Sequence, residues 1–263
     1  MKSTTTIFTP WVAWFGDQAA PELPWDQHAP LDAVTRARVQ GPLRLFQRGE
    51  SSDARHLLGK AERFAYRTGQ VDYYRALQAL VAEEHRHAAW LGTFMELEGI
   101  APARTSALDL VFRRLRHALP LPGAVALLMV AETIAEPFYR ALHDATPSAV
   151  LKAICKQILA DEALHLRFQA HSLRQLRTGL SAPARRALDL GARAALTSAL
   201  HALWPVTKDL FLSVDMDFPQ LVRASRAQFR QLWAVVDQRA PLTAPLEREY
   251  DLRRHHFQLQ PCL

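Results

Sequence analysis

Two stretches carry the residue types that hold metal ions. In Glu83-Glu84-His85-Arg86-His87 and in Asp161-Glu162-Ala163-Leu164-His165, a glutamate precedes a histidine by three positions. On an α-helix residues three apart share a face, so Glu84 with His87, and Glu162 with His165, each offer a carboxylate oxygen and an imidazole nitrogen to one point. Composition alone gives about half a Glu-x-x-His match, so a single occurrence means little. What distinguishes these two is where they point. Glu84 and His87 fall in the apolar stripe Leu77, Leu80, Val81, Leu91, Phe94, and Glu162 and His165 fall in the stripe Leu151, Ile154, Ile158, Phe168. Four ionisable groups are thereby aimed at a core, where an uncompensated charge costs several kcal/mol or more.

Each motif has a lone carboxylate on the preceding helical stretch, Glu50 before the first and Glu132 before the second, so the chain repeats one plan. Antiparallel helices bring together residues equidistant from their turn. At about 1.5 Å per residue, Glu162 lies roughly 24 Å beyond a turn near Thr146, Glu132 about 21 Å before it and Glu136 about 15 Å before it. Glu132 is the expected partner. Across a turn near Gly69, Glu84 lies about 22 Å along, Glu50 about 28 Å and Glu62 about 10 Å. Glu62 falls short, whereas Glu50 reaches with a longer loop or a kink, and it shares a stripe with Leu43, Phe46, Leu57 and Ala61.

Four Glu and two His converging in a helical core form a two-metal carboxylate constellation, with a lone Glu from each of two helices and Glu-x-x-His from each of the others. Two divalent cations would bring the four carboxylates to neutrality. Glu83 and Asp161 are placed to accept hydrogen bonds from the imidazole N–H groups across the site, and Arg86 to bridge to Asp161. Oxygen-rich ligands favour iron or manganese and chemistry with dioxygen or peroxide. Glu136, Tyr139 and Cys155 share the metal side of their helices; an Arg140 pairing, a core tyrosine and a small core hydrophobe are their simpler roles. His85 and His171 lie off the ligand stripe.

The elements that must hold these groups are helices. Apolar residues recur at three and four over most of the chain, and strand-like alternation is almost absent, so an all-α fold is expected. Helices are predicted at 31–67, 71–98, 105–118, 122–144, 148–178, 183–206 and 217–237, separated by Gly- and Pro-bearing turns. The first should break near Gly41-Pro42. Residues 1–30, with Trp11, Trp14, Phe15 and Trp25, read as an irregular arm laid on a bundle of residues 31–178. Residues 179–263 read as a helical extension with an extended tail after Pro241.

The stretch EEHRHAAWL resembles the Glu-Glu-x-Arg-His signature of soluble acyl-carrier-protein desaturases. ADEALHLRF resembles their second motif and that of arylamine N-oxygenases, so residues 43–178 resemble the ferritin-like di-iron carboxylate superfamily. The N-oxygenases carry a further histidine one turn before the second motif, where this chain has Ile158. The resemblance implies a ferritin-like four-helix bundle with an N-terminal arm and additional C-terminal helices. It implies two iron ions, with manganese or a mixed pair as the alternative, on Glu50, Glu84, His87, Glu132, Glu162 and His165, which are also the catalytic set. The implied activity is that of a di-iron oxidase or oxygenase acting on a small organic substrate with dioxygen and an external electron donor. Alternatives are a ferroxidase or iron-handling protein, a peroxide-reducing protein resembling rubrerythrin, and a tRNA hydroxylase.

Length and composition agree with a large packed core: 263 residues, 49% hydrophobic and 22% charged. Two cysteines exclude a disulfide framework or a cysteine-rich redox module. Lys plus Arg number 32 against 26 Asp plus Glu, which favours acidic partners such as a carrier protein or an electron donor. No nucleic-acid motif accompanies the charge. No apolar run is long enough to cross a bilayer and no cleavable leader is evident, so a cytoplasmic protein without a membrane partner is expected, and a dimer is compatible with the sequence.

Overall fold

The computed structural model describes residues 6–16, 21–52, 54–103 and 107–238, with backbone only at 107–109. It is all-α. In chain order the helices are α1 (Thr9–Gly16), a 3-10 turn (Trp25–Gln27), α2 (Ala33–Glu50), α3 (Arg55–Thr68), α4 (Val71–Leu97), α5 (Ala107–Ala118), α6 (Leu121–Ala145), α7 (Ala149–Leu176), α8 (Ala182–Leu212) and α9 (Phe218–Val236). Helix starts follow local chemistry. Asp32 accepts from the Val34 and Thr35 amides, Ser148 from Leu151, Ser181 from Ala184, and Asp217 closes a capping box with Gln220. Gly69 ends α3 at φ 73°, a left-handed conformation that glycine adopts without strain.

Three expectations are corrected. The predicted 31–67 helix is two helices, and α2 runs unbroken through Pro42. The break falls instead after Glu50, at Ser51-Ser52, where the Ser51 hydroxyl bonds the backbone in place of helix continuation, donating from Oγ to the Arg48 carbonyl. Burial of Val39, Pro42 and Leu43 holds α2 together across the amide that Pro42 lacks. α8 likewise passes Pro205 and continues to Leu212. The arm is not irregular throughout, because α1 buries Trp11, Trp14 and Phe15. The tail after Pro241 lies outside the described residues.

α6 and α7 pack along their length, α4 packs on α7, and α2 with α3 packs on α4, which returns the chain to α6 through α2. α8 fits between α2 and α6, α9 covers α6 and α7, and α1 lies on α4. α6 is long and apolar enough to span a membrane, yet most of it is buried in this core. Phe168 of α7 anchors the arm, with ring centroids 5.5 Å from Trp11, 5.6 Å from Phe15 and 6.0 Å from Tyr73. Phe168→Ala is expected to cost about 3–5 kcal/mol, read as a shift of the urea midpoint; a loss under about 1 kcal/mol would show the arm is not part of the cooperative core.

Candidate metal centre

Local sequence puts each candidate side chain on an inward helix face. Glu50 is the last residue of α2, Glu84 and His87 sit on α4, Glu132 on α6, and Glu162 and His165 on α7. The fold brings all six together. One donor atom from each of Glu50, Glu84, His87 and Glu162 lies within 4.8 Å of the others, and the same holds for Glu84, Glu132, Glu162 and His165. Glu84 and Glu162 belong to both groups. His87 with Glu50, and His165 with Glu132, each belong to one.

Both imidazoles are fully buried and oriented alike. His87 Nε2 meets Asp161 Oδ2 at 3.0 Å, and His165 Nε2 meets Glu83 Oε2 at 2.9 Å. With Nε2–H donating to a carboxylate, the lone pair remains on Nδ1, and Nδ1 is the atom turned into the cluster. His87 Nδ1 lies 3.9 Å from both Glu50 and Glu162, and His165 Nδ1 lies 3.8 Å from Glu162. Such carboxylate–imidazole pairs fix tautomer and ring orientation at metal ligands. Arg86 was expected at Asp161; it donates instead to Glu83 on its own helix, at 3.1 Å. Gln157 holds the other oxygen of Asp161 at 2.9 Å.

Glu132, not Glu136, enters the cluster. Glu136 faces outward and pairs with Arg140. Tyr139 is buried with its hydroxyl donating to Glu50, so its satisfied partner is a member of the cluster itself. Cys155 is buried and free, its thiol pushed up by burial. His171 is a packing residue: it accepts from Trp11 Nε1 at 2.9 Å, and burial together with Arg174 lowers it to about 4. His85 is exposed. Gln157 and Gln169 were not anticipated. Gln169 donates to Glu132, and the signal for both was there: Gln169 follows His165 by four and Gln157 precedes Asp161 by four, placing two amides on the buried face.

Electrostatics show what the cluster can hold. Burial pushes the Glu84, Glu132 and Glu162 carboxyls well above the usual range, and mutual repulsion adds to it. Burial opposes ionisation of Glu50 too, but attraction to the nearby His87 and to the Tyr139 hydroxyl holds it below its ordinary value. Burial would lower His87, yet Asp161 and Glu50 raise it to about 9. Five donor atoms of the cluster, His87 Nδ1, His165 Nδ1, Glu84 Oε1, Glu132 Oε2 and Glu162 Oε2, are buried without a hydrogen-bond partner. His165 Nδ1 and Glu84 Oε1 are only 2.9 Å apart and still make no hydrogen bond. Unpaired lone pairs converging on shared carboxylates are what a pair of cations satisfies, so the donor set fits two divalent metal ions.

No family model, curated protein or solved structure matches the chain significantly.

Beside the cluster is a cavity of about 150 Å³. Glu50, Glu84, Glu132 and Glu162 face it, and Phe46, Phe112, Leu128, Ile134 and Leu203 supply most of its apolar wall. Phe46 lies flat on Phe138, with centroids 3.5 Å apart. Ser52 and Arg116 are its polar wall groups outside the carboxylates, and Arg116 donates to Ser52 Oγ. Cavities of roughly this size accept benzene-sized ligands.

Proposed function

We propose that this chain is a ferritin-like di-iron carboxylate protein that uses dioxygen to oxidise a small apolar organic molecule. In this reading α2 with α3, α4, α6 and α7 form the four-helix bundle, and α1, α8 and α9 are additions to it. The observation that carries the reading is the doubled donor set, in which Glu84 and Glu162 are common to two groups that each also hold one Glu and one His. A pair of redox-active ions held there supplies the electrons that reduction of dioxygen requires.

The chain's own residues do the rest. Glu83 and Asp161 keep protons on the Nε2 atoms of His165 and His87, so each Nδ1 stays a ligand. Gln169 and Tyr139 hold Glu132 and Glu50. Tyr139 keeps its proton, because burial and the neighbouring Glu50 raise it well above its ordinary value. Phe15, with its ring centroid 5.9 Å from His165, screens the α7 side from water. The apolar wall of Phe46, Phe112, Leu128 and Leu203 admits a hydrocarbon or aromatic substrate and excludes bulk water. Turnover requires an external electron donor, the two cysteines offering no second redox module.

Anaerobic loading with ferrous ion, followed by stopped-flow mixing with oxygenated buffer, tests the reading. A transient near-visible absorbance and oxidation of the bound iron within seconds are expected. Flat spectra with iron still ferrous after minutes would remove the oxygenase assignment. Continued uptake far beyond two irons would replace it with iron storage.

A further inference from the structure

α5 has two different faces. Its inward face supplies Phe112 and Arg116 to the cavity wall. Its outward face exposes Leu110 (49%), Val111 (53%) and Leu115 (48%) alongside the exposed Arg114 and His117. At 100° per residue these five positions fall on one side of the helix. The neighbouring α3 presents Arg63, Tyr66 and Arg67, also on one face, and Tyr66 is 92% exposed. Lys60 joins the two helices by donating to the carbonyls of Arg116, His117 and Leu119 at 2.8, 2.9 and 2.6 Å. The His56 and His117 rings lie 3.9 Å apart across the same seam. A groove along the seam is lined by Lys60, Arg63, Arg67 and His117.

We infer that the α3–α5 face docks on an anionic lipid bilayer, and that an apolar substrate enters the cavity from that surface. The lipid source of the cargo rests on the proposed oxidase function; the docking itself does not. The occupant follows from the chemistry of the face. Arginines interleaved with half-exposed aliphatic residues and an exposed tyrosine suit an interface with anionic headgroups outside and acyl chains beneath. A second copy of this chain would set arginine against arginine across an isologous contact. Nucleic acid would use the arginines but leave Leu110, Val111 and Leu115 without a partner. No spanning segment is needed, because the helix lies in the surface.

Full-length protein is sedimented with vesicles of phosphatidylcholine containing about one-third phosphatidylglycerol, and with phosphatidylcholine alone. Binding is expected only to the anionic vesicles, released by 0.5 M salt because screening shortens the reach of surface charges. R63E/R67E and, separately, L110E/L115E are each expected to lower partitioning by at least about tenfold, with far-ultraviolet dichroism and iron stoichiometry unchanged. Metal-free protein should bind as well as loaded protein, so a failed iron site leaves this result standing and failed docking leaves the iron site standing. Equal binding to uncharged vesicles, or none to anionic ones, overturns the inference. So does an L110E/L115E variant that turns a dimer into a monomer, or an oligonucleotide bound equally by wild type and L110E/L115E.

Discussion

Glu162→Ala is expected to abolish binding of both metal ions, whereas Glu132→Ala is expected to leave one. Wild-type protein reconstituted anaerobically should hold about two ferrous ions per chain. The difference between the variants follows from the sharing of ligands. Glu162 and Glu84 contribute to both donor groups, so removing either leaves each cation with an incomplete set. Glu132 contributes to one group only, and its loss leaves Glu50, Glu84, His87 and Glu162 in place. Glu136→Gln is the control, since Glu136 pairs with Arg140 outside the cluster, and it should retain two ions. Because truncating a buried side chain leaves a cavity, far-ultraviolet dichroism of each metal-free variant accompanies the comparison. Iron analysis after gel filtration reads all three variants. Equal losses in Glu162→Ala and Glu132→Ala would show that the two groups are not joined through Glu162, and one ion or fewer in wild type would remove the two-metal assignment.

The second large effect is on stability against pH. In protein stripped with chelator, the Glu84, Glu132 and Glu162 carboxyls lie well above their unfolded value, with burial as the main cause. A group whose folded value is raised stabilises fully below its unfolded value and loses that contribution as pH rises through the folded one. His87 is raised to about 9 against an ordinary 6.5 and acts in the same direction between those values, and His165, also raised, adds to it above 6.5. Glu50, held low, and His171, lowered to about 4, exert their opposite pulls below about pH 6.5. From pH 6.5 to 8.5 the stripped protein should therefore lose stability steadily. Divalent metal reverses the trend, because it replaces the protons that the cluster must otherwise hold and binds more tightly as they leave. Metal at about a thousand times its dissociation constant adds about 4 kcal/mol, worth roughly 10 °C in a chain of this size. The increment should grow with pH. Anaerobic thermal melts with manganese and with chelator measure it, and coincident curves for the two conditions would show that the cluster holds no cation.

The six cluster residues and the all-helical class could be read from the sequence because both rest on short-range spacing. Glu84 with His87 and Glu162 with His165 are three apart on a helix whatever the rest of the chain does, and the apolar stripes say which way they face. Helical rise was enough to choose Glu132 over Glu136. The same rise left Glu50 too far along a continuous helix, and the break at Ser51-Ser52, which ends α2 at Glu50 itself, resolves that mismatch. Propensity pointed to Gly41-Pro42 for the break; packing of Val39 and Leu43 overrode it. Other features depend on contacts between distant segments, which periodicity does not encode. Trp11 meets His171 across 160 residues and Tyr139 meets Glu50 across 89. Phe112 of α5 and Leu203 of α8 close one cavity only because α6 packs on both of their helices. Spacing along one helix is set by backbone geometry, whereas the meeting of two helices is set by how their side chains interlock, and only the folded chain makes that choice.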